Sequence, residues 1–151
     1  MNYWIMKSEP DVFGIDDLLK QPDKTACWDG VRNFQARNFI RDEMQSGQQA
    51  FFYHSSCKTP GVAGIVEICS AAYPDPTSLD SEHENFDPKS VTTPRWFAVD
   101  VRFVSKFKRI ITLPELKSLS AFADSPLTRR GNRLSILPLT DEQWSAVIAV
   151  E

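Results

Sequence analysis

Between residues 96 and 107 the side chains alternate, with Phe97, Val99, Val101 and Phe103 on one side and Asp100 and Arg102 on the other. A two-residue period sustained that far is a β-strand with one buried face. It obliges the chain to supply neighbouring strands and a layer to cover the apolar side. Shorter candidates are present. Residues 3–7 form an apolar opening strand, which Ser8-Glu9-Pro10 ends because proline cannot continue a ladder. Residues 50–55 and 62–69 form two more, separated by the turn residues Thr59-Pro60-Gly61, and residues 134–137 give a short late strand.

The helical signals are fewer but sharper. Ile15, Leu18 and Leu19 have helical spacing and are followed by Gln21-Pro22-Asp23. A helix over 31–44 follows Trp28-Asp29-Gly30, with Asp29 as its expected N-cap. It would turn Ala36, Phe39, Ile40 and Met44 inward and carry Phe34, Arg37 and Arg41 on another face. Thr112-x-x-Glu115 and Thr140-x-x-Gln143 are capping boxes. Each has its hydrophobic staple, Ile111 with Leu116 and Leu139 with Trp144, and the second opens a helix over 141–150. Residues 73–94, with four prolines and many acids, form a long connection without a periodic pattern. This order predicts an α+β fold in one domain spanning 1–151, its mainly antiparallel sheet curled into a small barrel flanked by helices. It is not the alternation of a doubly wound nucleotide fold.

Composition narrows the function classes. With 42% hydrophobic and 25% charged residues in 151, the chain can bury its own core. A net charge of −3 excludes a broadly basic nucleic-acid face but leaves room for a local one. No apolar run approaches membrane-spanning length, and no signal peptide is visible at the start. Three cysteines without a C-x-x-C pair fit a reducing compartment, the cytoplasm, or the nucleus where the source has one. The expected state is a monomer.

No hydrolase elbow, phosphate loop or zinc-protease motif occurs. His54 and Cys57 have ligand-like spacing, but His83 is the only other histidine, so neither a metal nor a cofactor is expected. As a nucleophile and base they are three residues apart at a strand end, where side chains need not face one another. Trp28-Asp29-Gly30-Val31-Arg32-Asn33 concentrates a flat aromatic, a carboxylate, a hinge, a cation and an amide. That is either a core tryptophan beside a helix cap, or a surface on which a base stacks while its edge is read. Lys7-Ser8-Glu9 and Tyr53-His54-Ser55 end strands in polar groups of the kind that edge a cavity. Arg129, Arg130 and Arg133, around Gly131-Asn132, make a cationic turn that Arg37, Arg41 and Lys58 extend; it suits phosphate, or pairing with the chain's own acids.

These same stretches carry a resemblance. Residues 3–10, YWIMKSEP, and residues 27–39, CWDGVRNFQARNF, resemble the opening and central motifs of the EVE domain family. Phe52-Tyr53-His54-Ser55, Pro60-Gly61-x-x-Gly64, Ala72-Tyr73-Pro74-Asp75, Phe86-Asp87-Pro88-Lys89-Ser90, Pro94-Arg95-Trp96 and Arg133-Leu134-Ser135-Ile136 follow in the family's order, across essentially the whole chain. The sequence does not show the basic N-terminal extension of animal members, so the resemblance points to a bacterial single-domain form. It implies a PUA-like barrel related to the YTH domain and a reader of modified bases in DNA or RNA, with modified cytosine as one candidate. Carried across by motif, the base pocket would be framed by Lys7, Ser8, Glu9, Trp28, Asp29, Val31, Asn33, Tyr53, His54 and Ser55, with Arg32, Arg37, Arg129, Arg130 and Arg133 on phosphates. Two alternatives stand beside it: a small PUA-like enzyme acting on modified nucleosides or RNA, with Lys7 and Glu9 as an acid–base pair, and a protein-interaction module suited to the acidic pI.

Overall fold

The strand that dominates the sequence also dominates the structure. In the computed structural model, which describes residues 2–129 and 132–151, it is the sixth strand and runs from Phe97 to Thr112. The elements before it are β1 (Tyr3–Ser8), α1 (Pro10–Phe13), α2 (Ile15–Leu19), β2 (Thr25–Trp28), α3 (Phe34–Asn38), β3 (Gln49–His54), β4 (Gly61–Ile68), β5 (Tyr73–Pro74) and α4 (Pro76–Leu79). After β6 come α5 (Leu113–Ser118), β7 (Ile136–Leu139) and α6 (Asp141–Val150).

The strands form one sheet in the order β2-β6-β4-β3-β1-β7, with β5 added to β6. The expected α+β class holds; among the described residues the sheet is not closed into a barrel, and β2 and β7 stand at the two ends of its main path. Nor is it wholly antiparallel. β1 and β3 run parallel, with Lys7 opposite Tyr53 and Ser8 opposite His54. The long crossover between them, holding α1, α2, β2 and α3, makes that possible. As a result the polar ends of β1 and β3 lie side by side.

Strand alternation divides the apolar residues between two cores. Trp4, Met6, Ala50, Phe52, Val66, Val99 and Val101 share one face of the sheet, covered by Ile15 and Leu18 of α2 and by Ala36, Ile40 and Met44 of α3 and its continuation. Ile5, Phe51, Tyr53, Val62, Phe107 and Ile111 share the other with Leu116, Phe122, Trp144 and Val147. Phe51 and Tyr3 both stack on Trp144, at 4.0 and 4.2 Å between ring centroids. A fully buried side chain of this size contributes roughly 1.5–3 kcal/mol, so neither layer is dispensable.

Both capping boxes form, Thr112 with Glu115 and Thr140 with Gln143. The helix expected over 31–44 starts later and has another cap. Asn33, not Asp29, accepts from the Ala36 N–H at 3.0 Å, and α3 widens into a π-helical turn over Phe39–Glu43. Gly30, at φ +79°, keeps the preceding segment out of the helix. No helix among the described residues is long and apolar enough to cross a membrane.

Candidate functional site

A cleft of about 610 Å3 opens where β1 and β2 end, within the range of roughly 300–1,000 Å3 typical of small-molecule sites. Lys7, Ser8, Phe13, Cys27, Trp28 and Asp29 are among the residues that line it. Trp28 is only 7% exposed and belongs to the first core, where it meets Phe52 edge to face at 5.3 Å. It is therefore a core residue that also borders the cleft. Phe13, from the one-turn helix α1, adds a second apolar wall.

The polar groups have distinct states. Lys7 is half-buried; burial pulls its pKa below the ordinary lysine value, and its ammonium lies 5.6 Å from the Tyr53 ring centroid. Among the described residues it has no carboxylate within 4.0 Å, so the Tyr53 ring is the contact that offsets its partial desolvation. Asp29 projects from the rim. Desolvation raises its carboxyl pKa and the nearby Asp75 adds to the effect. Ser8 donates its hydroxyl to the Phe13 carbonyl at 2.6 Å, leaving its oxygen as an acceptor. Burial raises the Cys27 thiol to about 11, so it faces the cleft as a neutral thiol.

The remaining pocket candidates lie elsewhere. His54 accepts the Ile15 N–H on Nε2 at 3.2 Å, which anchors the start of α2 and leaves the imidazole proton on Nδ1; burial lowers its pKa. Tyr53 is 3% exposed, with its phenol raised to about 12 by burial. The Ser55 N–H donates to the Ser8 carbonyl, extending the parallel ladder by one bond. Val31 is core, and the Asn33 amide oxygen caps α3. The structure therefore brings Lys7, Ser8, Trp28 and Asp29 together at the first cleft, with Glu9, Tyr53 and Ser55 beside a neighbouring one that Lys7 also borders. Phe13, Val12 and Thr25 were invisible as site residues, because only the crossover brings them against β1.

The arginines separate similarly. Arg32 does not point outward. It donates to Asp75 at 2.9 Å, the Val31 carbonyl at 3.0 Å, the Asn85 carbonyl at 2.9 Å and Thr77 at 3.2 Å, with its guanidinium over the Trp96 ring. Asp75, wholly buried, also accepts from the Gly30 N–H and from Thr77. Arg37 donates to the Arg95 carbonyl and to Asn38, above a Phe34 ring that stacks on Trp96 at 4.7 Å. Asp87 binds the other end of this loop, accepting from Arg95, Trp96 and Ser90. Arg129 and Arg133 are exposed, whereas Arg130 lies outside the described residues.

Comparison with known proteins agrees with this architecture. The family model described as EVE domain matches residues 2–150. Human thymocyte nuclear protein 1 is 46% identical over 169 aligned residues, which take in 99% of this chain and 74% of that protein. A crystal structure of the human THYN1 protein, in complex with 5-methylcytosine containing DNA, superposes with a TM-score of 0.89 at 46% identity over 99% of this chain and 97% of that one. A Pseudomonas syringae protein superposes at 0.91 with 50% identity, covering 98% of each chain. The YTH domain of Zygosaccharomyces rouxii MRB1 shares the fold at 13% identity, with a TM-score of 0.54 over 99% of this chain and 85% of that one.

Proposed function

The chain belongs to the EVE domain family, and we propose that it is a binding module which captures a modified nucleobase of DNA or RNA in the first cleft without turning it over. The observation that carries this reading is the pairing of an apolar wall, Trp28 and Phe13, with Lys7, a cation that has no carboxylate partner among the described residues, in one lining. Such a wall accepts a planar heterocycle that has left its stack, and the cation accepts what the heterocycle is attached to. The human relative crystallised with 5-methylcytosine containing DNA supports the choice of modified base. The module acts as a monomer in the cytoplasm, or in the nucleus where the source has one, and its three free thiols fit that setting.

Each wall has a task. A methyl group added to a pyrimidine enters apolar surroundings and gains roughly 0.8 kcal/mol, a preference of about fourfold over the unmethylated base. Asp29 is suited to accept the exocyclic amino group of cytosine, the usual carboxylate partner of that edge. Fluorescence titration of single-stranded oligonucleotides with one central 5-methylcytosine or cytosine tests the arrangement. Lys7→Met is expected to weaken both by about tenfold, since it removes a charged contact. Trp28→Phe, which keeps most of the core volume, is expected to diminish the methyl preference. Equal affinity of wild type and both variants for both strands would end the reading.

Asp29 also sets a pH dependence. As the carboxylate it is the stronger acceptor, and its pKa is raised, so affinity falls as pH drops through a value above the ordinary aspartate pKa of about 3.9. The Asp29→Asn variant is expected to lose that pH dependence together with part of the preference for cytosine.

A further inference from the structure

Beside the base cleft lies a second, of about 670 Å3, bordered by Lys7, Tyr53, Ser55, Leu113, Asn132 and Arg133. Lys7 borders both, and its ammonium lies 5.6 Å from the centroid of the Tyr53 ring, which borders the second. The position of Lys7 is fixed by backbone. The Lys7 N–H donates to the Ser135 carbonyl at 2.8 Å, which ties residues 132–135 to the end of β1, and the Ser55 N–H does the same for β3 through Ser8. Asn132 is oriented within its own loop, its side-chain oxygen accepting from the Leu134 N–H at 2.9 Å, which leaves the amide N–H2 as its donor end. Arg133 is exposed at this wall.

Among the described residues, the lining lacks the tryptophan and phenylalanine of the base cleft. It offers hydroxyls, an amide and two cations against the carboxylate of Glu9, and its aromatic residue, Tyr53, is almost wholly buried. Cations and hydroxyls suit a sugar-phosphate, and no tryptophan or phenylalanine lines this cleft as Trp28 and Phe13 line the first. We infer that the second cleft takes the nucleotide adjoining the captured base, with the connecting phosphate at Lys7, so that the ligand is a strand of two or more nucleotides rather than a free nucleoside. This rests on the base-capture reading above. It adds that the neighbouring nucleotide is held through its backbone, independent of its base identity.

Calorimetric titration of the full chain with three probes tests it: 5-methyl-2′-deoxycytidine, and two dinucleotides in which thymidine precedes or follows the methylated residue. One dinucleotide is expected to bind about tenfold tighter than the nucleoside, the scale of one charge-assisted contact. Arg133→Ala should shrink that ratio severalfold, and Arg133→Lys should restore most of it. Dinucleotides that bind no tighter than the nucleoside would overturn the inference, as would an Arg133→Ala variant that weakens all three probes alike. Failure of the base reading looks different: a matched set of the three probes built on unmethylated cytosine would bind as well as the methylated set, while the gain with chain length and its dependence on Arg133 persisted. Absence of binding by every probe would overturn both.

Discussion

Asp75 shows how much of this site rests on one buried carboxylate. Burial alone would raise its pKa, but hydrogen bonds from Thr77, Arg32 and Gly30 outweigh that and hold it below the ordinary value. A group whose folded pKa lies below its unfolded pKa of about 3.9 stabilises the fold above that pH and loses the effect as pH falls through the folded value. Asp75→Asn is therefore expected to cost about 2 kcal/mol at neutral pH, with Arg32 partly exposed and the loss moderated accordingly. Urea melts followed between pH 7 and pH 3 check both parts: the variant should lie below wild type at neutral pH, and the gap should narrow in acid. Neither the arrangement nor its cost was legible in the sequence. Arg32 reads as a surface cation there, because its partner lies 43 positions away and nothing local announces the pairing.

At the scale of elements, what was written locally was legible and what depended on the crossover was not. The capping boxes at Thr112 and Thr140, their staples, and the helix Asp141–Val150 can be read from adjacent residues, and they form. Thr140→Ala is expected to destabilise by about 1 kcal/mol in thermal unfolding. β2 was missed because Thr25-Ala26-Cys27-Trp28 is too short to show alternation, and the parallel pairing of β1 with β3 leaves no trace in either strand. Asp29 was the expected cap, but Gly30 follows it at a positive φ and Asn33 caps α3 instead. Gly64 likewise has its reason in packing: a Cβ there would stand 2.2 Å from the Ser105 carbonyl oxygen and 2.4 Å from Ile15 Cδ1, beside the irregular register of β4 on β6. Gly64→Ala should cost about 2 kcal/mol or more, measurable as a lowered denaturation midpoint.

For the molecule as a whole, the charge of −3 and the small number of exposed cations near the clefts argue for few phosphate contacts. The slope of log affinity against log salt should therefore fall between about −1 and −3, far from that of a backbone-coating protein. The two cores, one on each face of the sheet, share the strands that end at the site, so ligand binding at the tips of β1 and β3 should slow amide exchange in both layers. The connection between β5 and β6 bears on how a ligand gets in. It is held at Asp75 and Asp87 and by Arg32 and Arg37, contacts that a swing over the opening would have to break. With that connection held, the cost of association falls on the nucleic acid, which has to give up its base.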